Sequence, residues 1–108
     1  MVRCQDCMLV YKGEFDNDQR HGYGINYLGP RHNSDFYVGQ FMKDQFQGRG
    51  IYFYNVEHQQ NSLCHIGQFH RGMAKGPGRM TFTNSSVCTG EWLHGMIQTE
   101  GAELVLSN

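Results

Sequence analysis

The fold of this chain is decided by a stretch that reads Tyr37-Val-Gly-Gln-Phe-Met-Lys-Asp-Gln-Phe-Gln-Gly-Arg-Gly50. If Tyr37 is taken as position 0, glycine stands at position 2, a second aromatic residue at position 4, and further glycines at positions 11 and 13. The pattern occurs at Tyr11, Gly13, Phe15, Gly22 and Gly24; at Tyr37, Gly39, Phe41, Gly48 and Gly50; at His65, Gly67, Phe69, Gly76 and Gly78; and, more weakly, at Cys88, Gly90, Trp92, Thr99 and Gly101. Self-similarity at a period of roughly 20–50 residues is typical of repeat architectures. We therefore divide the chain into an N-terminal edge segment, residues 1–10, and a repeat domain, residues 11–108, with units starting near residues 11, 37, 65 and 88.

Each unit is predicted to form a β-hairpin. Positions 0, 2 and 4 lie on one face of a strand, because side chains alternate between the two faces. Position 7 holds residues that tolerate turn conformations, including positive φ; these are Asp18, Asp44, Gly72 and Gly95. The recurring glycines and the short runs of strand-forming residues disfavour a helix. The predicted fold class is all-β, an elongated single-layer antiparallel sheet built from successive hairpins.

The paired glycines of the returning strand need a physical reason, since glycine inside a strand costs about 0.5–1 kcal/mol relative to alanine. We expect that the aromatic rings of the outgoing strand lie across the returning backbone, where a Cβ atom would collide with them. On this interpretation the glycines at positions 2, 11 and 13 are structural.

These residues resemble the MORN-repeat family (membrane occupation and recognition nexus), whose unit reads roughly Tyr-x-Gly-x-aromatic, a turn glycine, then Gly-x-Gly. The resemblance covers residues 11 to about 106. It implies a single elongated β-sheet with a shallow aromatic-lined groove, in proteins that tether or scaffold. Small proteins made almost entirely of this repeat resemble components of cytoskeletal assemblies, notably the radial spokes of ciliary and flagellar axonemes.

The chain departs from the repeat in two ways. His65 and Cys88 replace the opening tyrosine, and Thr99 replaces a glycine. The connections between units are longer around Gly29-Pro-Arg-His-Asn33 and Glu57-His-Gln-Gln-Asn61, and both should project from the same edge of the sheet. Since loops tolerate insertion, sequence drift and partner-specific contact both remain open explanations.

The aromatic residues at positions 0 and 4 are the first candidate binding site. They are Tyr11, Phe15, Tyr37, Phe41, Phe69 and Trp92, with His65 in the place of a lost aromatic residue. A single layer has no second sheet with which to cover its rings, and monomers rarely expose large apolar patches. We therefore expect this ladder to be both the core and a groove that takes a helix or an extended peptide from a partner protein.

The ends of the sheet are a second candidate surface. The apolar segments Cys7-Met-Leu-Val-Tyr11 and Leu104-Val-Leu106 are expected in the outermost strands. Open edges favour strand addition unless they are capped. The sequence thus predicts docking of these edges, onto other copies of the chain or onto a larger assembly.

Composition excludes several functions. The nine Lys and Arg residues are dispersed and the net charge is −1, which is unlike a nucleic-acid-binding surface or a polybasic membrane patch. No stretch approaches the ~18 apolar residues of a membrane span, and no signal peptide is evident at the start. Four cysteines in a non-exported chain should stay reduced. We expect a cytosolic or cytoskeletal location.

Metal binding and catalysis are not expected. Cys4 and Cys7 have the spacing of half a zinc site that Cys64, Cys88 or His65 could complete, but no second pair at matching spacing follows. Hydrolase and phosphate-loop motifs are absent, and a flat repeat sheet offers no deep pocket. We predict no cofactor, no small-molecule substrate and no enzymatic activity.

The leading hypothesis is a non-enzymatic structural protein whose partners are other proteins of a large cytoskeletal complex, such as a ciliary or flagellar axoneme. The alternative is a phospholipid-binding membrane tether or regulatory adaptor, against which the near-neutral charge and the scattered lysines argue. A regulatory segment of a larger enzyme is a third alternative.

Overall fold

The computed structural model describes residues 2–5, 8–29, 34–55 and 61–106, which form one antiparallel sheet. Its strands are β1 (Val2–Gln5), β2 (Met8–Asp16), β3 (Gln19–Tyr27), β4 (Phe36–Met42), β5 (Gln45–Phe53), β6 (Ser62–His70), β7 (Met73–Phe82), β8 (Val87–Leu93), β9 (Met96–Ile97) and β10 (Glu103–Val105). Strands β1 to β8 follow one another in sequence order, and β9 and β10 both pair with β8. The sheet measures 43 × 26 × 17 Å along its principal axes. These residues contain no helix, and therefore none long and apolar enough to cross a membrane. The predicted fold class is confirmed.

The hairpin turns lie where the sequence places them. Positions 6 and 7 have positive φ in every unit: 50° and 63° at Asn17 and Asp18, 49° and 69° at Lys43 and Asp44, 51° and 85° at Arg71 and Gly72, and 53° and 81° at His94 and Gly95. Two consecutive positive φ angles define a type I′ turn, whose twist matches that of the flanking strands. The short connection therefore brings the returning strand directly back beside the outgoing one.

Each turn is also joined to the unit before it. The position-7 amide donates a hydrogen bond to the position-9 carbonyl of the preceding unit: Asp44 to Arg20 at 3.1 Å, Gly72 to Phe46 at 3.1 Å, and Gly95 to Ala74 at 3.0 Å. These bonds extend the ladder to the tips of the hairpins. Successive units are thereby held in one register.

The two edges of the sheet differ from the expectation. β1 pairs with β2 over Val2–Gln5, so β2 has a neighbour on both sides, and the prediction that Met8 to Tyr11 forms an outermost strand is wrong. The boundary drawn between residues 10 and 11 falls inside β2. At the opposite edge lies the short strand β10, where Leu104, Val105 and Leu106 are exposed.

The fourth unit keeps its hairpin but not a continuous returning strand. β9 pairs with Trp92 and Leu93, β10 pairs with the first residues of β8, and residues 98–102 separate the two short strands. Gly101 lies in this interruption with φ of 78°, and a Cβ atom there would meet nothing within 4 Å. No ring lies over Gly101, unlike the glycines at position 13 of the first three units.

One glycine row runs unbroken across seven strands, β2 to β8. Strand pairing aligns Gly13, Gly24, Gly39, Gly50, Gly67, Gly78 and Gly90 directly opposite one another. The row combines position 2 of one strand with position 13 of the next. It leaves a band of bare backbone on the face that carries the aromatic ladder, which we call the ladder face.

Glycine is favoured at positions 2, 11 and 13 for three different physical reasons. A Cβ atom on Gly50 would lie 2.5 Å from Cζ of Tyr37, so the ring occupies the place of a side chain. A Cβ atom on Gly39 would lie 2.5 Å from Cα of Gly50, so here the hairpin backbone is the obstacle. Gly48 has φ of 94° beside the bulge between Gly39 and Phe41, a conformation that favours glycine. Ring packing thus explains the second glycine of each pair and not the first.

Replacement of these glycines by alanine should destabilise the fold, and the loss should be larger where the new Cβ atom meets a larger group at a shorter distance. Gly50→Ala meets the Tyr37 ring and should lower the free energy of unfolding by about 2–3 kcal/mol. Gly78→Ala should cost less, because its Cβ atom would lie 2.9 Å from the smaller His65 ring. Gly90→Ala is the control: its nearest neighbour would be Cα of Ala102 at 3.3 Å, so the change should stay within about 0.5 kcal/mol. Urea unfolding measures all three, and equal losses would contradict the ring-seating interpretation.

Candidate functional site

The structure brings all seven ladder residues into one continuous chain of edge-to-face contacts. The chain runs Phe15, Tyr11, Phe41, Tyr37, Phe69, His65, Trp92, with successive ring centroids 4.5–5.6 Å apart and ring planes inclined by 72–87°. In the first three units the position-0 ring contacts two position-4 rings, that of its own unit and that of the next unit. The fourth unit has Cys88 at position 0 and therefore no such ring. Such geometry places the positive edge of one ring on the negative face of another and stabilises the pair by about 0.5–1.5 kcal/mol beyond area burial.

The ladder is a core and not an open groove. Tyr11 and Tyr37 are fully buried, and His65, Phe41, Phe69 and Trp92 are at most 5 % exposed, whereas Phe15 is partly buried. We expected these rings to be both the core and a groove; burial agrees with the core, whereas the same rings do not line an open groove. The rings lean along the sheet over the glycine row and cover one another.

A further set of residues, at position 9, closes the ladder from outside. Each lies opposite the position-4 aromatic residue across its hairpin; the set comprises Arg20, Phe46, Ala74 and Ile97. Phe46 stacks on Tyr37 with centroids 3.9 Å apart and planes inclined by 6°. In the first unit the Arg20 guanidinium carbon lies 5.3 Å from the Phe41 centroid, a cation–π distance. We call this set the covering residues.

The charge of Arg20 is neutralised within the sheet. Its Nε atom lies 2.9 Å from Oδ1 of Asp44, its Nη1 donates to Oδ1 of the buried Asn26 at 2.7 Å, and its Nη2 donates to the Asp44 carbonyl. The first and second units are therefore joined by ionic as well as aromatic contacts.

Tyrosine at position 0 satisfies its hydroxyl group inside the core. The Tyr11 hydroxyl donates to the Glu14 carbonyl at 2.8 Å, and the Tyr37 hydroxyl donates to the Gln40 carbonyl at 2.7 Å. Burial raises the pKa of Tyr37 above its ordinary value, so this hydroxyl stays neutral and continues to donate. The opening residue thus combines an apolar ring with a donor for a carbonyl three residues later.

His65 breaks this arrangement. Its Nδ1 atom is buried and has no hydrogen-bond partner, and burial lowers the pKa of its imidazole. The ring is smaller than tyrosine, while the next position-4 residue, Trp92, is larger than the phenylalanine found elsewhere. The two centroids lie 4.5 Å apart, the shortest contact of the ladder. A smaller ring and a larger ring therefore fill one site together.

An open trough of about 330 Å³ lies on the ladder face and extends from the second unit across the third to the fourth. One part is formed by Asp35, Tyr52 and Tyr54, and its lining extends over His65 and Trp92 to the turn residues Gly72 and Gly95. The Tyr52 hydroxyl donates to Oδ2 of Asp35 at 2.8 Å, and the Asn55 amide donates to Oδ1 at 2.7 Å. Burial, reinforced by Asp35, raises the pKa of both Tyr52 and Tyr54.

The opposite face carries a row of aliphatic residues in strict cross-strand register. It consists of Ile25, Val38, Ile51 and Ile66, with Lys12 at one end and Arg79 at the other. Val38, Ile51 and Ile66 line a shallow depression of about 450 Å³. On this face polar side chains also serve the bulges, since Glu14 accepts from the Tyr23 amide at 2.6 Å and Gln40 from the Arg49 amide at 2.7 Å.

Sequence reasoning missed the covering residues and the trough. The covering residues recur at position 9 in every unit and lie symmetrically to position 4 about the turn, so spacing could have identified them. The trough gives no such signal. Asp35 precedes β4 outside the repeat pattern, and it meets Tyr52 and Tyr54 only through strand pairing.

Some expectations concern residues outside the described ranges. Cys7 is one of these, as are most residues of the two longer connections, 30–33 and 56–60. Within the described ranges, no three His, Cys, Asp or Glu residues are grouped so that they could hold a metal ion.

Acidification should destabilise the protein through His65. The unfolded chain takes up a proton near pH 6.5, the ordinary pKa of histidine, whereas the folded state resists protonation to a lower pH because the ring is buried. The free energy of unfolding should therefore fall as pH drops below 6.5 toward the folded pKa. Urea unfolding at a series of pH values measures how the free energy of unfolding changes with pH. The double variant His65→Tyr/Trp92→Phe should lose this pH dependence. The control His70→Gln, at an exposed position, should keep it.

His65 and Trp92 should show strong energetic coupling. His65→Tyr alone overfills the site beside Trp92, and Trp92→Phe alone leaves space beside His65, so each should destabilise by about 1–3 kcal/mol. The double variant restores the Tyr–Phe pair of the other units and should be more stable than the sum of the single changes by at least about 1 kcal/mol. A double-mutant cycle in urea measures the coupling, and additive effects would show that the two rings do not share one packing site.

Comparison with known proteins agrees with this geometry. A search of curated protein sequences finds no match to the chain. The family model for the MORN repeat matches residues 11–25, 37–55 and 65–87, which begin at the first three position-0 residues and together cover more than half of the chain. The fourth unit, which starts near residue 88, lies beyond the matched segments, consistent with its interrupted returning strand. MORN repeats are generally non-catalytic binding modules, and this chain belongs to the MORN-repeat family.

Proposed function

We propose that this protein is a non-enzymatic scaffold that holds a helix or an extended peptide of a partner protein against its ladder face. The observation that carries the proposal is a set of apolar residues that pack on the buried ladder and stay partly exposed: Phe15, Phe46, Tyr52, Met80 and Ile97. A partner that covers them would bury apolar surface without disturbing the core. An amphipathic helix or an extended peptide suits such a surface.

The ladder and the surface above it have separate tasks in this mechanism. Tyr11, Tyr37, Phe41, Phe69 and Trp92 are too deeply buried to offer much contact area, so they act by positioning the residues that cover them. Edge-to-face packing fixes where Phe46 and its equivalents stand. The binding surface is consequently rigid before the partner arrives, which reduces the entropy lost on association.

We propose further that the partner belongs to a cytoskeletal assembly, in particular a ciliary or flagellar axoneme, where the protein would act as a radial-spoke-like or microtubule-associated component. An elongated sheet whose units are linked from turn to strand is suited to a spacer that bears load between neighbours. The exposed apolar strand β10 offers an edge for packing onto an adjoining subunit. The proposed location is the cytoplasm, on the cytoskeleton.

The ladder-face surface is tested with two matched variants. Met80→Gln keeps side-chain length but removes apolar character on the ladder face, while Ile66→Gln makes an equivalent change on the opposite face. Tagged full-length protein should recover the same partners as wild type when it carries Ile66→Gln, and should lose most of them when it carries Met80→Gln. Affinity capture with quantitative mass spectrometry measures recovery, and circular dichroism checks that both variants keep the β signal.

Two outcomes would count against the proposal. Undiminished recovery with Met80→Gln would exclude the ladder face as the partner surface. Equal recovery from ciliated and non-ciliated cells, with the partners in the soluble fraction, would exclude the axonemal assignment.

A further inference from the structure

The Asp35 end of the trough is more specialised than a surface for general apolar contact. We propose that it binds a quaternary ammonium group, presented as a trimethylated lysine side chain of the partner segment. The inference rests on the proposed function, because it names the chemistry that one position of that partner carries. It concerns Asp35, Tyr52, Tyr54, His65 and Trp92, all of which line the trough.

The aromatic character of the trough favours a soft cation. The ring centroids of Tyr52 and Tyr54 lie 5.0 Å apart with planes inclined by 55°, so the two rings contact each other and line the trough side by side. His65 and Trp92 lie beneath them with centroids 4.5 Å apart and are at most 5 % exposed, so the rings offered to a ligand are mainly those of Tyr52 and Tyr54. Aromatic recesses of this kind attract cations through the negative faces of their rings, and quaternary ammonium groups are typical ligands of them.

The charge of the trough has the matching sign. Asp35 is its only carboxylate among the lining residues described, and none of those residues is Lys or Arg. Burial lowers the pKa of His65, so this ring is neutral near pH 7 and does not repel a cation. The approaching group therefore meets one negative charge and aromatic rings.

The hydration of the cation distinguishes a methylated from a free lysine at this site. Each oxygen of Asp35 accepts a hydrogen bond, one from Tyr52 and one from the Asn55 amide. A free lysine ammonium is compact and strongly hydrated, and contact with the tyrosine rings would remove part of its hydration shell. A trimethylammonium group has no N–H to satisfy and gains from apolar contact with the rings.

A protein source suits the site better than a phosphocholine lipid headgroup. Phosphocholine carries a phosphate beside its ammonium, and that phosphate would approach Asp35 with like charge. No cationic side chain lines the described trough to neutralise it. A trimethyllysine brings only an aliphatic stem, which fits the apolar continuation toward Ala74 and Met73.

Trp92 makes the test direct, because it is the single tryptophan of the chain and it lines the trough. Its fluorescence is followed while the full chain is titrated with Nα-acetyl-trimethyllysine amide or with the unmethylated Nα-acetyl-lysine amide. We expect saturable quenching in the millimolar range by the trimethylated compound and at least about tenfold weaker binding of the unmethylated one. Equal affinity for the two compounds, or no saturable change with the trimethylated one, would overturn the proposal.

Choline and its uncharged isostere 3,3-dimethyl-1-butanol separate charge from shape on the wild-type protein, with no dependence on how a variant folds. Choline should bind about tenfold more tightly. Equal binding would reveal an apolar recess with no cation preference and would overturn the assignment. Vesicles with phosphocholine headgroups test the lipid as the source of the ammonium group. Retention of the protein on these vesicles, with loss of trimethyllysine binding, would contradict a trimethylated lysine as the ligand.

Asp35→Asn removes the charge while retaining the shape, and should weaken choline binding about tenfold. Asp16→Asn, at an exposed position of the first unit, is the matched control and should bind like wild type. Undiminished choline binding by Asp35→Asn would exclude the carboxylate as the charge partner. Because these titrations use small ligands, they can fail while partner capture by the ladder face succeeds, and the reverse can also occur.

Discussion

One contact supports the whole sheet: a position-0 ring lies on backbone that carries no Cβ atom. Tyr37 rests over Gly50, and its hydroxyl reaches the Gln40 carbonyl beyond the glycine row. Because the ring leans along the sheet instead of standing away from it, its edge meets the face of the neighbouring aromatic residue. Rings that would need a second sheet to cover them are covered by one another, so a single layer acquires a buried core. The unbroken glycine row across seven strands is the condition for this packing.

The third and fourth units show how far the arrangement can change. His65 is too small to fill the place of a tyrosine, and Trp92 extends into the space that it leaves. The ladder ends there, because Cys88 presents no ring to the next strand. Without a ring to pack on them, the residues after Ile97 do not continue as one strand, and β9 and β10 pair separately with β8. The fourth unit, which matches the repeat pattern least well, thus has a returning strand without the ring contact that the other three returning strands make.

Separation of core from surface has a functional consequence. The most regular residues of the sequence are those that hold the sheet together, whereas Phe46, Tyr52 and Met80, at positions 9 and 15, pack on them and stay partly exposed to a partner. Positions 9 and 15 vary in chemistry from unit to unit, from Arg20 and Asn26 to Phe46 and Tyr52 and then to Ala74 and Met80. A regular core can therefore carry a partner surface that differs along its length.

The sequence by itself determined the repeat, the four hairpins, the places of their turns and the set of rings on one face, because spacing controls which residues share a face of a strand. It determined the family for the same reason, since the matched segments begin at the position-0 residues. Tertiary structure alone decided that the ladder is a core and not also an open groove, because exposure depends on how rings lean across neighbouring strands. It alone decided that Val2–Gln5 adds a strand outside β2. It also placed Asp35 beside Tyr52 and Tyr54, residues seventeen or more positions away, through pairing of β4 with β5, which no local pattern encodes.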